Sequence, residues 1–186
     1  MARTIKVLGI DPSMSNFGFV LADVDPLSGD IIATPELKLV QTSPTKEKTI
    51  RKSSDDLRRC RELFSPLAAM VAEADIVCSE MPLGSQNASA MKSVGICLGL
   101  LSTIDKPFIQ VMPEEVKLAA VGSKTATKAQ MIEWAYQRHP DANWLRKSKK
   151  PDAPLTAKNE HIADAVAVIA AATKTDHFKL MSVGFK

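Results

Sequence analysis

Three carboxylates stand where apolar neighbours make an ionised side chain costly. Asp11 follows the apolar run Ile5 to Ile10, Glu80 follows Ile76-Val77-Cys78-Ser79, and Asp164 lies within His161-Ile162-Ala163-Asp164-Ala165-Val166-Ala167-Val168. An isolated buried carboxylate costs several kcal/mol or more, so each needs a cationic partner or a metal ion. Residues that end neighbouring parallel strands converge at one edge of an open sheet, where such sheets bind ligands. His161 and Asp164 are three apart and share a helix face; if that helix crosses the edge, both point at it. Glu160 is a rival for the histidine's role, but lies about 100° further round the helix. Asp11, Glu80, His161 and Asp164 together offer hard oxygen ligands and one imidazole, a set that suits Mg²⁺ or Mn²⁺ better than Zn²⁺. Two such ions about 3.5–4 Å apart activate a water and stabilise the leaving oxygen of a phosphodiester. Each residue alone also has an ordinary reading: Asp11 as cap of the turn at Pro12, Glu80 as a solvated strand end, His161 as a helix-end histidine.

The elements that must position these residues follow from periodicity. Ile5 to Ile10 reads as a buried central strand closed by Asp11-Pro12-Ser13, Phe17 to Val24 as a second strand, and Leu37 to Gln41 as a third. Pro26, Ser28, Gly29 and Asp30 turn the chain between the last two. Ser53 or Ser54 suits the N-cap of a helix whose apolar face is Leu57, Cys60, Leu63/Phe64, Leu67 and Met70/Val71. A strand at 76–80, a helix at 86–102, a strand at 107–112, a helix opening at Pro113, another at 128–138 and a nearly all-apolar helix at 158–173 complete the chain. Hairpin-ordered strands followed by helix-linked strands imply an α/β protein with a mixed sheet and helices on both faces.

The chain has 186 residues, about one domain's worth, so a single domain over 1–186 is expected. Segments 42–55 and 139–157 are polar or proline-broken and are expected to be mobile, and 174–186 to be a tail. Cys60, Cys78 and Cys97 form no CxxC pair and suit free thiols in a reducing cytoplasm. The longest apolar run, Ala165 to Ala172, is far below the roughly 20 residues that span a bilayer, so no membrane association is expected. Aromatic residues make up only 5% of the chain, which argues against a binding face of stacked rings.

Four ordered segments together resemble the RuvC family of Holliday junction resolvases, of the RNase H-like superfamily. Leu8-Gly9-Ile10-Asp11-Pro12-Ser13 with Gly18 is similar to its first-strand motif, and Ser79-Glu80 with Asn87-Ala88 and Gly95 to its second acidic motif. Pro113, Val116-Lys117, Val121-Gly122 and Lys128 resemble its central segment, and Asn159, His161, Ala163-Asp164-Ala165 and Ala167 its closing helix. The resemblance implies an RNase H-like five-stranded sheet, three antiparallel strands followed by helix-linked parallel ones. It also implies a homodimeric endonuclease, dependent on Mg²⁺ or Mn²⁺, that nicks a four-way DNA junction symmetrically. In that frame Asp11, Glu80, His161 and Asp164 serve two metal ions, Lys117 and Lys128 contact phosphate, and Leu83, Ser85, Gln86 and Asn87 meet DNA. Ser13 stands at a glycine-like position of the first motif. Leu83 stands where the family often carries an aromatic wedge, which opens the alternatives of a broader nuclease for forks, flaps and three-way junctions, or of a catalytically weak binder of branched nucleic acid. An actin-like phosphotransfer fold shares the first turn but needs a second, nucleotide-binding lobe.

Net charge is only +3, but it is unevenly spread. Between Arg138 and Lys150, the basic residues Arg138, Arg146, Lys147, Lys149 and Lys150 face one acid, and between Lys46 and Arg61 seven basic residues face three acids. The loop carrying Arg146, Lys147, Lys149 and Lys150, just before the proposed catalytic helix, is the expected phosphate contact. In the second helix, Gly95 and Gly99 permit close approach either within the monomer or across a dimer.

Overall fold

In β1 (Ile5–Asp11), the odd-numbered residues face one side of the sheet and the even-numbered the other. This computed structural model describes residues 4–185. β1 is flanked by antiparallel β2 (Asn16–Val24), which pairs with antiparallel β3 (Glu36–Gln41). On its other side lie parallel β4 (Ile76–Glu80) and then parallel β5 (Phe108–Val111), giving the order β3-β2-β1-β4-β5. The mixed five-stranded sheet is therefore present as expected.

One face packs on α1 (Lys52–Glu73) and α2 (Ala88–Leu101), burying Leu8, Ile10, Phe17, Phe19, Leu63, Leu67 and Leu100. The other packs on α3 (Pro113–Val121), α4 (Lys128–Arg138) and α5 (Asn159–Ala172), burying Val7, Val20, Ile76, Cys78, Val166 and Ile169. Buried on nearly all sides, α5 lies against both β1 and β2. Among the described residues no helix is long and apolar enough to cross a membrane, and Cys60, Cys78 and Cys97 are free.

The helical stripe read for α1 needs correction. Leu57 and Phe64 are 51% and 45% exposed, whereas Asp55 and Arg59 are buried. The chain leading from β3 into α1 folds back over the first turns of the helix and covers a polar strip rather than an apolar one. Asp55 accepts from Thr45 N at 3.0 Å and from Arg58, and Arg59 donates to Thr42 Oγ1 at 2.9 Å, Met14 O at 3.2 Å and Ser15 Oγ at 3.1 Å. Arg59 is thus spent bracing the turn that follows Asp11 and is withdrawn from the basic surface. The helix also starts at Lys52, one or two residues before the expected serine caps, with no side-chain cap at Arg51.

The proline-broken stretch before α5 closes on itself. Arg146 bridges to Leu155, Lys147 N donates to Pro154 O at 2.9 Å, and Trp144 is buried. Asn159, fully buried, ties this loop to the start of α5 by accepting from Leu145 N and donating to the Leu145 and Thr156 carbonyls. The C-terminal stretch read as a tail carries a short helix, α6 (Asp176–Ser182), which buries Phe178.

Candidate active site

Strand parity brings the first two carboxylates together. Ile10 pairs with Ser79 across parallel β1 and β4, so Asp11 and Glu80 are the next residues at the same strand ends. Alternation puts both on the face of Val7, Gly9, Ile76 and Cys78, which is the face covered by α5. That helix brings His161 and Asp164 from its first turns.

Two glycines decide how close α5 comes. A Cβ at Gly9 would lie 2.3 Å from the Ala165 carbonyl oxygen, and one at Gly18 would lie 2.2 Å from the His161 carbonyl oxygen. Both obstacles are backbone, so no rotamer change relieves them. Gly18→Ala is therefore expected to push α5 off the sheet and to destabilise the protein by about 1–3 kcal/mol or more. Chemical denaturation measures this, and the same variant should lose cutting activity even under conditions where it remains folded.

His161 Nδ1 lies 2.7 Å from Asp11 Oδ2, and His161 Nε2 lies 3.3 Å from Glu160 Oε1. Glu160 in turn pairs with Lys128 Nζ at 2.8 Å. The side chains form a chain of contacts, Asp11–His161–Glu160–Lys128, in which both imidazole nitrogens face carboxylates. Burial opposes a charged imidazole, but the bond to Asp11 and the charges of Asp11, Glu160 and Asp164 outweigh it and raise the His161 pKa. Burial likewise raises Asp11, against the pull of His161.

Glu80 and Asp164 are more exceptional. Burial, then repulsion from Asp11 and Asp164, pushes Glu80 up to about 8. Burial, then repulsion from Asp11, pushes Asp164 up to about 7. Lys117 on α3 pulls both back only in part. Each of the three acids feels the others, so they share one site. Among the described residues no three His, Cys, Asp or Glu side chains are already drawn together tightly enough to hold a metal ion, so closing on one requires side-chain movement. The donor chemistry nevertheless fits a hard divalent cation: buried, mutually repelling carboxylate oxygens with His161 as their one adjoining imidazole.

The other residues singled out in the sequence fall around this edge. Lys128 has a side chain 79% exposed and held by Glu160. Leu83, 59% exposed, and Gln86 lie in the connection from β4 to α2. Ser85 Oγ accepts from Asn87 N, and Asn87 caps α2 by accepting from Ser89 N and Ala90 N. Lys147, Lys149 and Lys150 are exposed, whereas Arg146 bonds the Ala153 carbonyl at 2.9 Å and lies over the Tyr136 ring. Sequence reasoning set Glu160 aside on its angle round the helix, yet a glutamate at the first turn reaches both His161 and Lys128. The signal missed was side-chain length.

No family model matches the chain. Over 133 residues it is 27% identical to the crossover junction endodeoxyribonuclease RuvC of Salinibacter ruber, covering 67% of each protein. Over 131 residues it is 23% identical to RuvC of Prochlorococcus marinus, covering 69% of this chain and 80% of that one. The Thermus thermophilus RuvC structure matches with a TM-score of 0.59 at 20% identity, over 89% of this chain and 92% of that one. The chain is RuvC-like in sequence and fold. The same T. thermophilus protein in complex with Holliday junction substrate matches with a TM-score of 0.60 at 18% identity, over 90% and 92% of the two chains. The yeast mitochondrial Holliday junction resolvase matches at 0.51 with 13% identity, over 96% and 82%. These RuvC-like neighbours share the sheet order and the helix that crosses its edge only as far as fold is concerned; the site residues are argued from this chain's own geometry.

Proposed function

We propose that the protein is a metal-dependent, structure-selective DNA endonuclease that resolves Holliday junctions by paired, symmetric nicks. The observation that carries this reading is the meeting of Asp11, Glu80 and Asp164 at one sheet edge, buried and mutually repelling. Asp11, Glu80, Asp164 and His161 hold two Mg²⁺ or Mn²⁺ ions. Bound there, the ions supply an activated water and stabilise the leaving oxygen of a phosphodiester. Lys117 and Lys128 neutralise charge on the phosphate, a task suited to compact ammonium groups. For Lys128 this means exchanging Glu160 for phosphate. Lys147, Lys149 and Lys150 contact phosphates further along the strand, while Arg146 shapes the loop that presents them.

A homodimer is part of the proposal, because an open four-way junction has two-fold symmetry and needs two cuts. Its support is an uncovered apolar face on α1 and α2: Leu57 and Phe64 are exposed on one, Met91 and Leu98 on the other, and an Asp56–Lys92 ion pair holds the helices side by side. A Cβ at Gly95 or Gly99 would meet nothing within 4 Å, so neither glycine serves packing inside the monomer.

Leu83 favours a second, broader reading. An exposed aliphatic wedge unstacks bases but stacks on them less well than an aromatic ring, which extends the substrates to forks, flaps and three-way junctions. Cleavage of four-way, three-way, flap and single-stranded DNA with Mg²⁺, Mn²⁺ or EDTA tests both. The expected result is paired nicks in four-way junctions, abolished by EDTA. Cutting that persists in EDTA, or that never pairs across the junction, overturns the proposal.

A further inference from the structure

We propose that the cleft between α4 and the 146–157 loop receives one unstacked nucleobase of the cut strand and favours bases that carry an exocyclic amino group. This rests on the endonuclease reading and adds to it a subsite that selects sequence. The cleft has a volume of ≈ 740 Å³, in the range of sites that enclose small molecules. It opens directly beside the catalytic edge: Lys128 and Glu160 line its mouth, and the same Glu160 carboxylate touches His161. A strand whose phosphate replaces Glu160 against Lys128 therefore runs past the opening.

The lining says what enters. Ile132, Leu155 and the Tyr136 ring form apolar walls, the pattern that holds a flipped base. Lys128, Arg146 and Lys147 are balanced by Glu133, Asp152 and Glu160, and Arg146 is already bound to the Ala153 carbonyl. No net positive field draws a phosphate inside, whereas a neutral ring meets little opposition. Carboxylates at a base edge accept from amino groups, as Asp and Glu do from cytosine N4, and thymine has no amino group to offer. Thr156 supplies an independent indication: its hydroxyl, on the cleft lining, is buried without a hydrogen-bond partner among the described residues. A base edge would satisfy it.

The test is cleavage of four-way junctions in which each nucleotide flanking the cut is varied through all four bases and an abasic residue, with Mg²⁺ or Mn²⁺ present. At one flanking position, a base with an amino group is expected to be cut about tenfold or more faster than thymine or the abasic residue, within what one good base contact supplies. Asp152→Ala and Thr156→Val are each expected to bring that ratio toward unity. Equal rates for all bases, a preference for thymine, or a ratio unchanged in both variants overturns the inference and leaves the endonuclease reading standing. Failure to cut any junction overturns that reading, and the inference with it. The wild-type series alone decides the matter if a variant does not fold.

Discussion

Asp11→Asn and Asp164→Asn are each expected to lose junction cleavage by on the order of 10³-fold or more while the protein still binds four-way junctions. The amide keeps the shape of the carboxyl but neither carries the negative charge nor offers the second anionic oxygen that a hard cation requires. Binding survives because affinity for DNA comes mostly from phosphate contacts, which Lys147, Lys149 and Lys150 supply from an exposed loop some distance along the chain. Stability should move in the opposite direction from activity. Asp164 is forced toward its neutral form by burial and by Asp11, so an amide there relieves repulsion and is expected to raise the melting temperature. Cleavage and gel-shift assays, read beside a thermal melt, check all three outcomes. Persistent cleavage by both variants overturns the site, and a lowered melting temperature for Asp164→Asn overturns the electrostatic account of it.

Mg²⁺ or Mn²⁺ is expected to stabilise the protein, and more strongly at pH 8 than at pH 6. The sign follows from the raised carboxyls. Glu80 is held up to about 8 and Asp164 to about 7, both above their ordinary values, so the folded protein keeps protons that the unfolded chain has already released. Stability from these groups is complete below the ordinary carboxylate range and is lost as pH rises toward 7–8. His161, also raised, acts in the same direction. A divalent ion binds the deprotonated carboxylates, opposing that loss where it is greatest. At an ion concentration about 100 times its dissociation constant the gain is about 2.7 kcal/mol, or roughly 5–10 °C for a chain of this size. Thermal melts across pH, with each ion and with EDTA, measure it. Glu80→Gln and Asp164→Asn should flatten both the pH slope and the ion response. A melting temperature indifferent to both ions at pH 8 overturns the metal site.

The candidate site was legible in outline because its residues break local rules. Acids at the ends of apolar strands and inside an apolar helix are expensive, and expense is visible in a sequence without any structure. Strand alternation then says that Asp11 and Glu80 share a face once their strands are known to be neighbours. The misreadings have an equally definite origin. Leu57 and Phe64 continue the spacing of Leu63, Leu67 and Met70, but periodicity cannot say which stripe a neighbouring segment will cover. Here residues 42–45 cover Asp55 and Arg59, leaving the two apolar side chains on the uncovered face of α1. A net count of charge likewise credited Arg59 to the surface, although its guanidinium is used up on Thr42, Met14 and Ser15.

By itself, then, the sequence determined the elements, the mixed sheet and the identity of the four side chains able to serve a divalent cation. Those properties are local: they depend on period, turn chemistry and the cost of a charge among apolar neighbours. Only the tertiary structure decided how near the chemistry comes. Gly9 and Gly18 look like ordinary strand glycines until α5 lies across them, with the carbonyls of Ala165 and His161 where a Cβ would stand. Glu160 becomes part of the site only because that close approach lets its carboxylate bridge His161 and Lys128, residues 33 positions apart at their ends. Distances across packed layers are set by contacts between segments remote in the chain, and no pattern within one segment contains them.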